Sequence, residues 1–354
     1  MNELSAILSQ TMDRLLVDHV SKETLRASED GVWPAALWQA LEENGLTQPL
    51  IPEDRGGIGA GWSDAFIIVQ ATGYSYPPVP LAETLAAGWL LSQSSLDVPE
   101  GPITLIDDGH GLTSKEQMAD GQASAVPWGS HVAHAVALTN DNDRWRICVI
   151  ETETAKTTPD MSIAREPRDH VVFNGASGVS AAFPMAADNS PARLLGALVR
   201  SAQMAGAMRK ALDMTVQYAT ERLQFGRPIA KFQAIQHMLA VTAAKVAEAH
   251  TAAEYAFRAM DSADGNLSFA TFDIAAAKIV CGEAVEQVAD AVHEVHGAIG
   301  FTEEHDLHFT TRRLWSWRGE FGTEAFWAEE LGRKALSRGA ENLWPDLTAH
   351  QAEY

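Results

Sequence analysis

The N-terminal part of the chain places apolar side chains at helical spacing. Residues 4–20 repeat them every three or four positions, which is typical of an amphipathic helix. A second helix is predicted over residues 33–45, because a proline stands near its start and a glycine ends it. Residues 64–76 and 82–93 predict two further helices, and the glycine-rich stretch IPEDRGGIGAG, residues 51–61, is expected to be a loop.

The pattern changes near residue 102, where short runs alternate between apolar and polar positions. Runs such as HVAHAVALTNDND and RWRICVIETET are typical of strands, and TNDND, residues 139–143, predicts a turn between two of them. The alternation continues to residue 187. The sequence therefore predicts a small antiparallel β domain of under ninety residues.

Helical periodicity returns near residue 191. Long amphipathic runs over residues 192–222, 231–260 and 268–295 are rich in alanine, which favours closely packed antiparallel helices. We therefore expect a mainly α chain with a small β middle domain. The predicted units are an N-terminal helical domain, a reduced middle β domain and a C-terminal helical bundle, at residues 1–100, 101–188 and 189–354.

Composition narrows the expected partners and location. The chain has 354 residues, with 26 Lys and Arg against 47 Asp and Glu, so its formal charge is −21. Such an acidic chain is unsuited to nucleic acid or to an anionic membrane surface. Cys148 and Cys281 provide no disulfide framework, and the sequence shows neither a secretory signal pattern nor 18 consecutive apolar residues. We expect a cytoplasmic protein that binds neither nucleic acid nor membrane.

One stretch of this acidic chain gathers positive charge: residues 222–236, RLQFGRPIAKFQAIQ, contain three cations and no acid. Gly226 permits an unusual turn and Pro228 cannot continue a helix, so the preceding helix is expected to stop and restart here. A restarted helix beside an arginine presents amides and a guanidinium that can both donate to a phosphate. Gln233 and Gln236, one turn apart, can hydrogen-bond a polar ligand. The residues alone leave open the alternative of a solvated basic turn.

Two later stretches also carry candidate chemistry. Histidines at 293 and 296, and again at 305 and 308, form HxxH pairs. Zinc helices more often use an i,i+4 spacing, and no cysteines lie nearby, so we expect structural histidines and no metal site. Glu320 lies in a Glu-Phe-Gly-Thr loop between aromatic-rich helical segments. A carboxylate beside aromatic rings can have a raised pKa and act as a proton acceptor; a solvated loop acid is the alternative.

Three motifs together resemble the acyl-CoA dehydrogenase family. Residues 222–236 match every fixed position of its R-x-x-F-G-x-P-I-x-x-F-Q-x-x-Q motif, HGAIGF at 296–301 is similar to its later glycine motif, and LIPEDRGGIGAG resembles its N-terminal loop. The resemblance runs from about residue 33 to residue 338 and implies the family's α–β–α three-domain architecture and its cofactor, FAD. It also implies FAD-dependent α,β-desaturation of an acyl-CoA thioester, with electrons passed to an electron-transfer acceptor protein.

The same resemblance implies which residues contact FAD. In the family each FAD lies across a subunit boundary, with its flavin ring on one chain and its ADP end held by the Arg-Phe-Gly turn and glycine motif of the neighbour. Arg222 is accordingly expected to pair with the pyrophosphate, with Phe225 packed near it. The remaining residues expected at the cofactor are Gln233, Gly297, Ala298 and Thr323.

Two departures from the family pattern concern catalysis. The middle domain lacks the TEP-x-AGSD-like and W-I-T-like segments that contact flavin and substrate in other members. The carboxylate that removes the substrate's α-proton is also displaced, because counting without gaps puts Phe321 at its usual position. A second family position for the base, at the start of the long helix, corresponds to Ala192. Glu320, one residue early, is the remaining candidate for the catalytic base, unless a partner chain supplies it.

Three functions are compatible with these features. The chain is an acyl-CoA dehydrogenase subunit that uses Glu320 or a partner's base, a catalytically silent structural subunit that completes the FAD site of a longer paralogous partner, or a helical module that binds CoA thioesters without redox chemistry. Shortened, paired subunits of the second kind occur in the family. Small residues in LLGALVRSAQMAGAMRKAL, residues 194–212, are expected to let helices of neighbouring subunits approach closely, so at least a dimer, homo-oligomeric or heteromeric, is predicted.

Overall fold

The computed structural model of the chain describes residues 3–107, 109–115, 117–141, 144–185, 187 and 189–349. Its N-terminal part contains five helices: α1 (Glu3–His19), α2 (Lys22–Glu29), α3 (Ala35–Glu43), α4 (Trp62–Ser75) and α5 (Leu81–Ser92). Four correspond to the predicted helices. Helix α2 was not predicted, because its eight residues are too few to show a clear apolar period. The hydroxyl of Ser21 caps α2 by accepting a hydrogen bond from the amide of Thr24 at 3.2 Å.

The middle of the chain forms a seven-stranded sheet. Its strands are β1 (Ile103–Ile106), β2 (Gly109–Lys115), β3 (Met118–Pro127), β4 (His134–Asp141), β5 (Arg144–Glu151), β6 (Lys156–Thr158) and β7 (Arg168–Ala182). The strand order is β1-β4-β5-β7-β3-β2, with β6 beside β7. Among the described pairs only β1–β4 is parallel, so the antiparallel prediction is right for the others. Of the predicted turn at 139–143, residues 142 and 143 lie outside the described residues.

The C-terminal part is helical again. Helix α6 (Pro191–Glu221) leads into a hairpin, β8 (Leu223–Gln224) and β9 (Arg227–Pro228), which is followed by α7 (Gln233–Ser262) and α8 (Leu267–His296). The last described helices are α9 (Leu307–Gly319), α10 (Glu324–Arg338) and α11 (Ala340–Ala349). The predicted stop and restart of the helix is confirmed, because the hairpin separates α6 from α7. Within the described ranges, no helix is both long and apolar enough to span a bilayer.

One hydrophobic core joins the N-terminal helices to the C-terminal bundle. It contains buried side chains from α1, α3, α4 and α5 together with side chains from α6, α7 and α8, and strand residues such as Ile103, Val136 and Ile147 pack into it as well. Other buried strand residues form a second core within the sheet. The predicted domain limits at residues 100 and 188 fall in the connections between α5 and β1 and between β7 and α6. Those limits stay a prediction.

The small residues of α6 serve packing within the chain. A Cβ on Gly206 would lie 2.1 Å from the carbonyl oxygen of Gln70, and a Cβ on Gly73 would lie 2.0 Å from that of Gln203. Helices α4 and α6 therefore approach each other backbone to backbone. The expectation that these small residues face a neighbouring subunit is wrong, because most of the first half of α6 is already buried inside the chain.

The predicted loop at residues 51–61 braces the end of α5. A Cβ on Gly57 would lie 2.0 Å from the carbonyl oxygen of Ile51, so only glycine fits there. The guanidinium of Arg55 donates to the carbonyls of Ser92 and Ser94 at 2.7 and 3.1 Å. These bonds satisfy carbonyls that the end of a helix leaves without partners, just before the chain enters the sheet.

Candidate functional site

Buried donors hold the loop between α9 and α10 in one conformation. Phe321 and Gly322 both have positive φ, at 53° and 90°. The buried ammonium of Lys278 on α8 donates to the carbonyls of Arg318 and Gly322 at 2.8 and 2.7 Å. The indole of Trp327 donates to the carbonyl of Phe321 at 3.0 Å. Because the loop backbone is anchored at three carbonyls, the directions of its side chains are fixed as well.

The carboxylate of Glu320 is fully engaged within the chain. Its Oε1 accepts from Arg168 at 2.9 Å and from the hydroxyl of Ser316 at 3.1 Å, and its Oε2 accepts from Arg200 at 2.8 Å and again from Arg168 at 3.1 Å. Both arginines are buried, with side chains 6% and 1% exposed. Glu320 is thus one member of a buried ionic contact that joins the sheet, α6 and α9.

This contact extends into a row of six buried or partly buried side chains whose charges alternate in sign, which we call the charged chain. Its members, in order of contact, are Glu83, Arg200, Glu320, Arg168, Glu166 and Arg313. The indole of Trp317 also donates to Glu166, at 3.0 Å. Three carboxylates offset three guanidinium groups, so a net buried charge is avoided.

The charged side chains around Glu320 set the pKa of its carboxyl group. Burial raises the pKa of the Glu320 carboxyl, but the neighbouring Arg168 and Arg200 outweigh burial and lower the pKa to about 2. The sequence prediction allowed a raised pKa beside aromatic rings, and the two arginines reverse that direction. A general base works best when its pKa lies near the operating pH. Glu320 is therefore poorly matched to proton abstraction.

Phe321 fills the groove on α6 that faces the loop. Its side chain is buried, and a Cβ on Gly196 of α6 would lie 2.1 Å from the Phe321 ring. The guanidinium of Arg200 lies 5.5 Å from the centroid of the same ring. Ala192, at the other family position for a base, is also buried. Phe321 and Gly196 therefore have complementary shapes, and neither base position offers an acid.

The space left between the sheet and this loop is small. A cavity of about 200 Å³ is lined by strand residues of β1 and β3 and by Asp107, Glu320 and Phe321. Pockets that hold cofactors or drug-sized ligands usually measure roughly 300–1,000 Å³. The described residues therefore leave little room here for a flavin ring with a thioester beside it.

Residues 222–228, the arginine turn, project from the end of α6 as a hairpin. Phe225 and Gly226 have φ of 51° and 76°, the left-handed backbone that a two-residue hairpin turn requires. The Phe225 ring is 92% exposed. Arg222 is exposed, and no described residue pairs with its guanidinium, whereas the guanidinium of Arg227 lies 4.3 Å from the ring centroid of Phe232. The turn thus presents an open, positively charged and aromatic surface.

The two predicted glutamines differ in their availability. Gln233 is exposed in the first turn of α7, where its side chain is free to meet a ligand. The amide of Gln236 donates to the carbonyl of Ala230 at 2.9 Å. The side chain of Gln236 therefore stabilises the segment between the arginine turn and α7, and part of its hydrogen-bonding capacity is used there.

Residues 297–301, the glycine loop, follow the end of α8. Gly297 has φ of 62° and ψ of −144°, a combination that is essentially restricted to glycine. Gly300 is buried, and a Cβ there would lie 3.0 Å from the Cβ of His296. Gly297 and Ala298 are exposed, and the ring of Phe301 is 73% exposed. The loop presents backbone and an aromatic ring to the exterior.

The four histidines near the glycine loop pack inside the chain. The ring of His293 stacks on Phe301 with centroids 4.3 Å apart, and burial lowers the pKa of each of the four imidazoles. In the described part of the chain, no group of three or more His, Cys, Asp or Glu side chains could hold a metal ion. These positions agree with the structural role predicted for them.

The predicted site residues fall into two groups. Apolar contacts among Ala219, Ile229 and Val295 join the arginine turn to the end of α8, so the residues expected at the ADP half of FAD lie in neighbouring segments. Glu320 and Thr323 belong instead to the α9–α10 loop. The hydroxyl of Thr323 accepts from the amide of Phe326 at 3.2 Å and caps α10, so part of its hydrogen-bonding capacity is already used.

Sequence reasoning missed the partners of Glu320. Glu83 and Arg200 are single charges inside the apolar runs LAETLAAGWLL and LLGALVRSAQMAGAM. A charged side chain within an apolar helix is rarely buried without a partner of opposite charge. This rule would have predicted that Glu83 and Arg200 take part in buried ion pairs. Arg168 begins β7 and Glu166 lies just before it, and no comparable signal in the sequence marks them.

The comparisons with known proteins identify the family. An acyl-CoA dehydrogenase N-terminal domain model matches residues 2–94, and an acyl-CoA dehydrogenase C-terminal domain model matches residues 195–336. The acyl-CoA dehydrogenase IpdE2 of Mycolicibacterium smegmatis is 30% identical over 318 residues, which cover 88% of this chain and 93% of that protein. The chain belongs to the acyl-CoA dehydrogenase family. The general reaction of this family is FAD-dependent dehydrogenation, and its cofactor is FAD.

One further relative and one solved structure extend the comparison. The acyl-CoA dehydrogenase FadE34 of Mycobacterium tuberculosis is 30% identical over 321 residues, which cover 88% of this chain but 44% of that protein. The solved ChsE4-ChsE5 complex from Mycobacterium tuberculosis superposes with a TM-score of 0.81 at 22% identity, over 96% of this chain and 98% of that chain. The predicted family and α–β–α fold are confirmed.

The two halves of the chain's own site differ in how well they fit FAD. The arginine turn and glycine loop fit an anionic ligand, because an unpaired guanidinium, an exposed ring and exposed backbone lie at one end of the bundle. The space between the sheet and the α9–α10 loop does not fit a flavin ring, because Phe321 and the charged chain occupy it.

Proposed function

We propose that the chain is a subunit of a heteromeric, FAD-dependent acyl-CoA dehydrogenase and is itself catalytically silent. The flavin ring and the catalytic base belong to a longer homologous partner chain. This chain holds the ADP end of the partner's FAD with its arginine turn and glycine loop.

The α9–α10 loop carries this proposal. A self-sufficient enzyme needs an open pocket and a carboxylate able to accept a proton from the α-carbon of the thioester. Glu320 instead accepts four hydrogen bonds from Arg168, Arg200 and Ser316, and Phe321 is packed against Gly196. The residues that stand where substrate and base would meet are used for structure.

The open arginine turn supports the second part of the proposal. An exposed aromatic ring close to an arginine without a described partner suits a ligand that is anionic and can pack against a ring. Arg222 would donate to the pyrophosphate, and Phe225 would pack beside it. Gly297 and Ala298 would let the ADP half approach their backbone.

The relatives favour a two-unit assembly. FadE34 contains a region like this chain within a protein more than twice as long as that region, and ChsE4-ChsE5 is a complex of two named components. A second unit beside this one, fused or separate, is therefore a recurrent arrangement among similar proteins. The substrate we propose is an acyl-CoA thioester held by the partner, with electrons leaving to an electron-transfer acceptor protein.

Absorption spectra and assembly test this proposal together. We expect the chain purified alone to be colourless and inactive in acyl-CoA oxidation with an artificial acceptor. The complex with its partner should be at least dimeric by light scattering and should carry one FAD per pair of chains. Arg222→Ala should weaken FAD binding to the complex by roughly 1.5–3 kcal/mol, the worth of one charge-assisted contact. Arg258→Ala, which removes an exposed arginine from α7, is the matched control.

Other results would favour other functions. A yellow, active chain without any partner would make it a self-sufficient dehydrogenase. CoA-thioester binding by a chain that forms no flavin complex would make it a binding module. FAD content that does not respond to Arg222→Ala would remove the arginine turn from the site.

A further inference from the structure

The arginine turn and the glycine loop are joined by one aromatic side chain. Tyr218 lies on the last turn of α6, and its ring stacks on the imidazole of His296 with centroids 4.5 Å apart and planes inclined by 22°. Its hydroxyl also donates to the carbonyl of His296, at a long 3.4 Å. Tyr218 thus contacts the residue that immediately precedes the glycine loop.

Burial, a hydrogen bond and ring contacts hold the imidazole of His296 in one orientation. Its side chain is buried, and Nδ1–H donates to the carbonyl of Val292 at 2.7 Å. The ring of His305 meets it edge-on, with centroids 4.6 Å apart. Nε2 is buried and has no hydrogen-bond partner among the described residues, so the imidazole stays neutral and stacking dominates its interactions.

The position of His296 sets the direction of the next peptide groups. Gly297 follows it with a backbone conformation that is essentially restricted to glycine, and the amide of Gly297 donates to the carbonyl of His293. The course of the exposed backbone at Gly297 and Ala298 therefore depends on the position of His296. On its other side Tyr218 is tied to the turn, because its carbonyl accepts from the amide of Arg222 at 2.8 Å. One residue therefore reaches both segments, through its main chain and through its ring.

We propose that Tyr218 is a positioning residue for the ADP half of FAD, and that its stacking on His296 holds the arginine turn and the glycine loop at the separation that the ligand requires. The inference rests on the proposed function, because it concerns the same surface. Tyr218 acts through Arg222 and Gly297 and need not touch the cofactor. Tyr218 also packs against the apolar cluster of Ala219, Ile229 and Val295 that joins the segments, and its stack on His296 adds a contact of defined orientation to that cluster.

Tyrosine variants separate positioning from simple packing. The complex with its partner is titrated with FAD by flavin fluorescence, and the melting of each apo chain is recorded. Tyr218→Leu removes the ring and should weaken FAD binding about 10-fold, the scale of one aromatic pair. Tyr218→Phe keeps the stack and should stay within about 2-fold of wild type. The matched control, Tyr74→Leu, removes a half-buried tyrosine whose hydroxyl bonds Asp213 on α6, upstream of the turn, and should lower melting without changing FAD affinity.

Combining variants tests whether Tyr218 acts through the arginine turn. If it does, Tyr218→Leu in an Arg222→Ala background should cost less than in wild type, because the contact it positions is already gone. Equal losses of FAD affinity in Tyr218→Leu and Tyr74→Leu, or full additivity with Arg222→Ala, would overturn the positioning role and leave Tyr218 as packing. An unchanged FAD affinity in Arg222→Ala alone would instead overturn the proposed function.

Discussion

The carboxylate oxygens of Glu320 are occupied by Arg168, Arg200 and Ser316, and this occupancy governs what the residue can do. Proton abstraction requires a carboxylate oxygen that reaches the reacting carbon and gains a proton without losing strong partners. Protonation of Glu320 would leave two buried guanidinium groups without their shared anion. The same geometry makes Glu320 important for stability.

We expect Glu320→Gln to destabilise the chain by about 3–5 kcal/mol, as the loss of one partner from a buried ion pair does. The amide nitrogen of glutamine would face arginine donors, so at least one buried donor would lack an acceptor. Urea unfolding measures the change. Glu254→Gln, which removes an exposed acid paired with Arg258 on α7, should stay within about 1 kcal/mol of wild type.

Activity distinguishes this role from catalysis. In the complex with its partner, Glu320→Gln should leave turnover per folded complex near the wild-type value. Unchanged unfolding combined with abolished turnover would instead identify Glu320 as the base.

At the scale of elements, α6 and the α9–α10 loop fit each other at one pair of residues, Gly196 and Phe321. The Phe321 ring occupies the gap that Gly196 leaves in α6, and the anchored backbone of the loop prevents the ring from moving away. Such complementarity is costly to disturb, because protein interiors are close-packed.

We expect Gly196→Ala to destabilise the chain by about 1–3 kcal/mol through overpacking, despite the better helix propensity of alanine. Gly332→Ala in α10 is the matched control, since a Cβ there meets nothing within 4 Å, and it should be neutral or stabilise by up to about 1 kcal/mol. Phe321→Ala should cost less in the Gly196→Ala background than in wild type, because the added methyl group fills part of the space that the ring leaves. Additive unfolding energies for the pair would contradict the direct contact.

The elements also show what the sequence could reveal. The helix stop at Gly226 and Pro228, the long helices and the sheet follow from local rules. Counting against the family motif shows further that the two usual base positions hold Ala192 and Phe321. The closure of the site does not, because Arg168 and Arg200 lie 152 and 120 residues from Glu320 in the chain. Tertiary contacts between distant charges leave no periodic pattern, and the fit of Phe321 to Gly196 depends on how two elements are docked.

At the scale of the whole molecule, the alternating charges add an ionic connection between parts that already share apolar contacts. Ile103, Val136 and Ile147 of the sheet pack into the helical core, and other strand residues form a second core. Glu320 with Arg168 joins the sheet to the α9–α10 loop. These ionic contacts between β7, α6 and the end of α9 fix how the sheet is docked on the helices.

Acid should destabilise the molecule in two windows of pH. Burial, together with neighbouring His305 and His293, lowers the pKa of His296 from 6.5 to about 4. Unfolded His296 binds a proton near pH 6.5 while the folded residue stays neutral, so stability falls as the pH drops from 6.5 to about 4. The pKa of Glu320 is lowered from 4.5 to about 2. Its contribution is present above pH 4.5 and is lost as the pH falls further towards 2.

Single variants should weaken each window separately, because His293, His305 and His308 also have lowered pKa values and remain in the His296 variant. The free energy of unfolding in urea is measured between pH 7 and pH 3, where one site changes it by at most about 1.4 kcal/mol per pH unit. His296→Phe keeps a ring on Tyr218 but cannot titrate, so it should reduce the slope between pH 6.5 and 4 and preserve the steeper loss below 4.5. Glu320→Gln should do the reverse. His237→Gln, which replaces an exposed histidine on α7, should leave both slopes unchanged. A wild-type slope in His296→Phe would mean that the stack beside the glycine loop does not resist protonation, and that acid acts on other groups first.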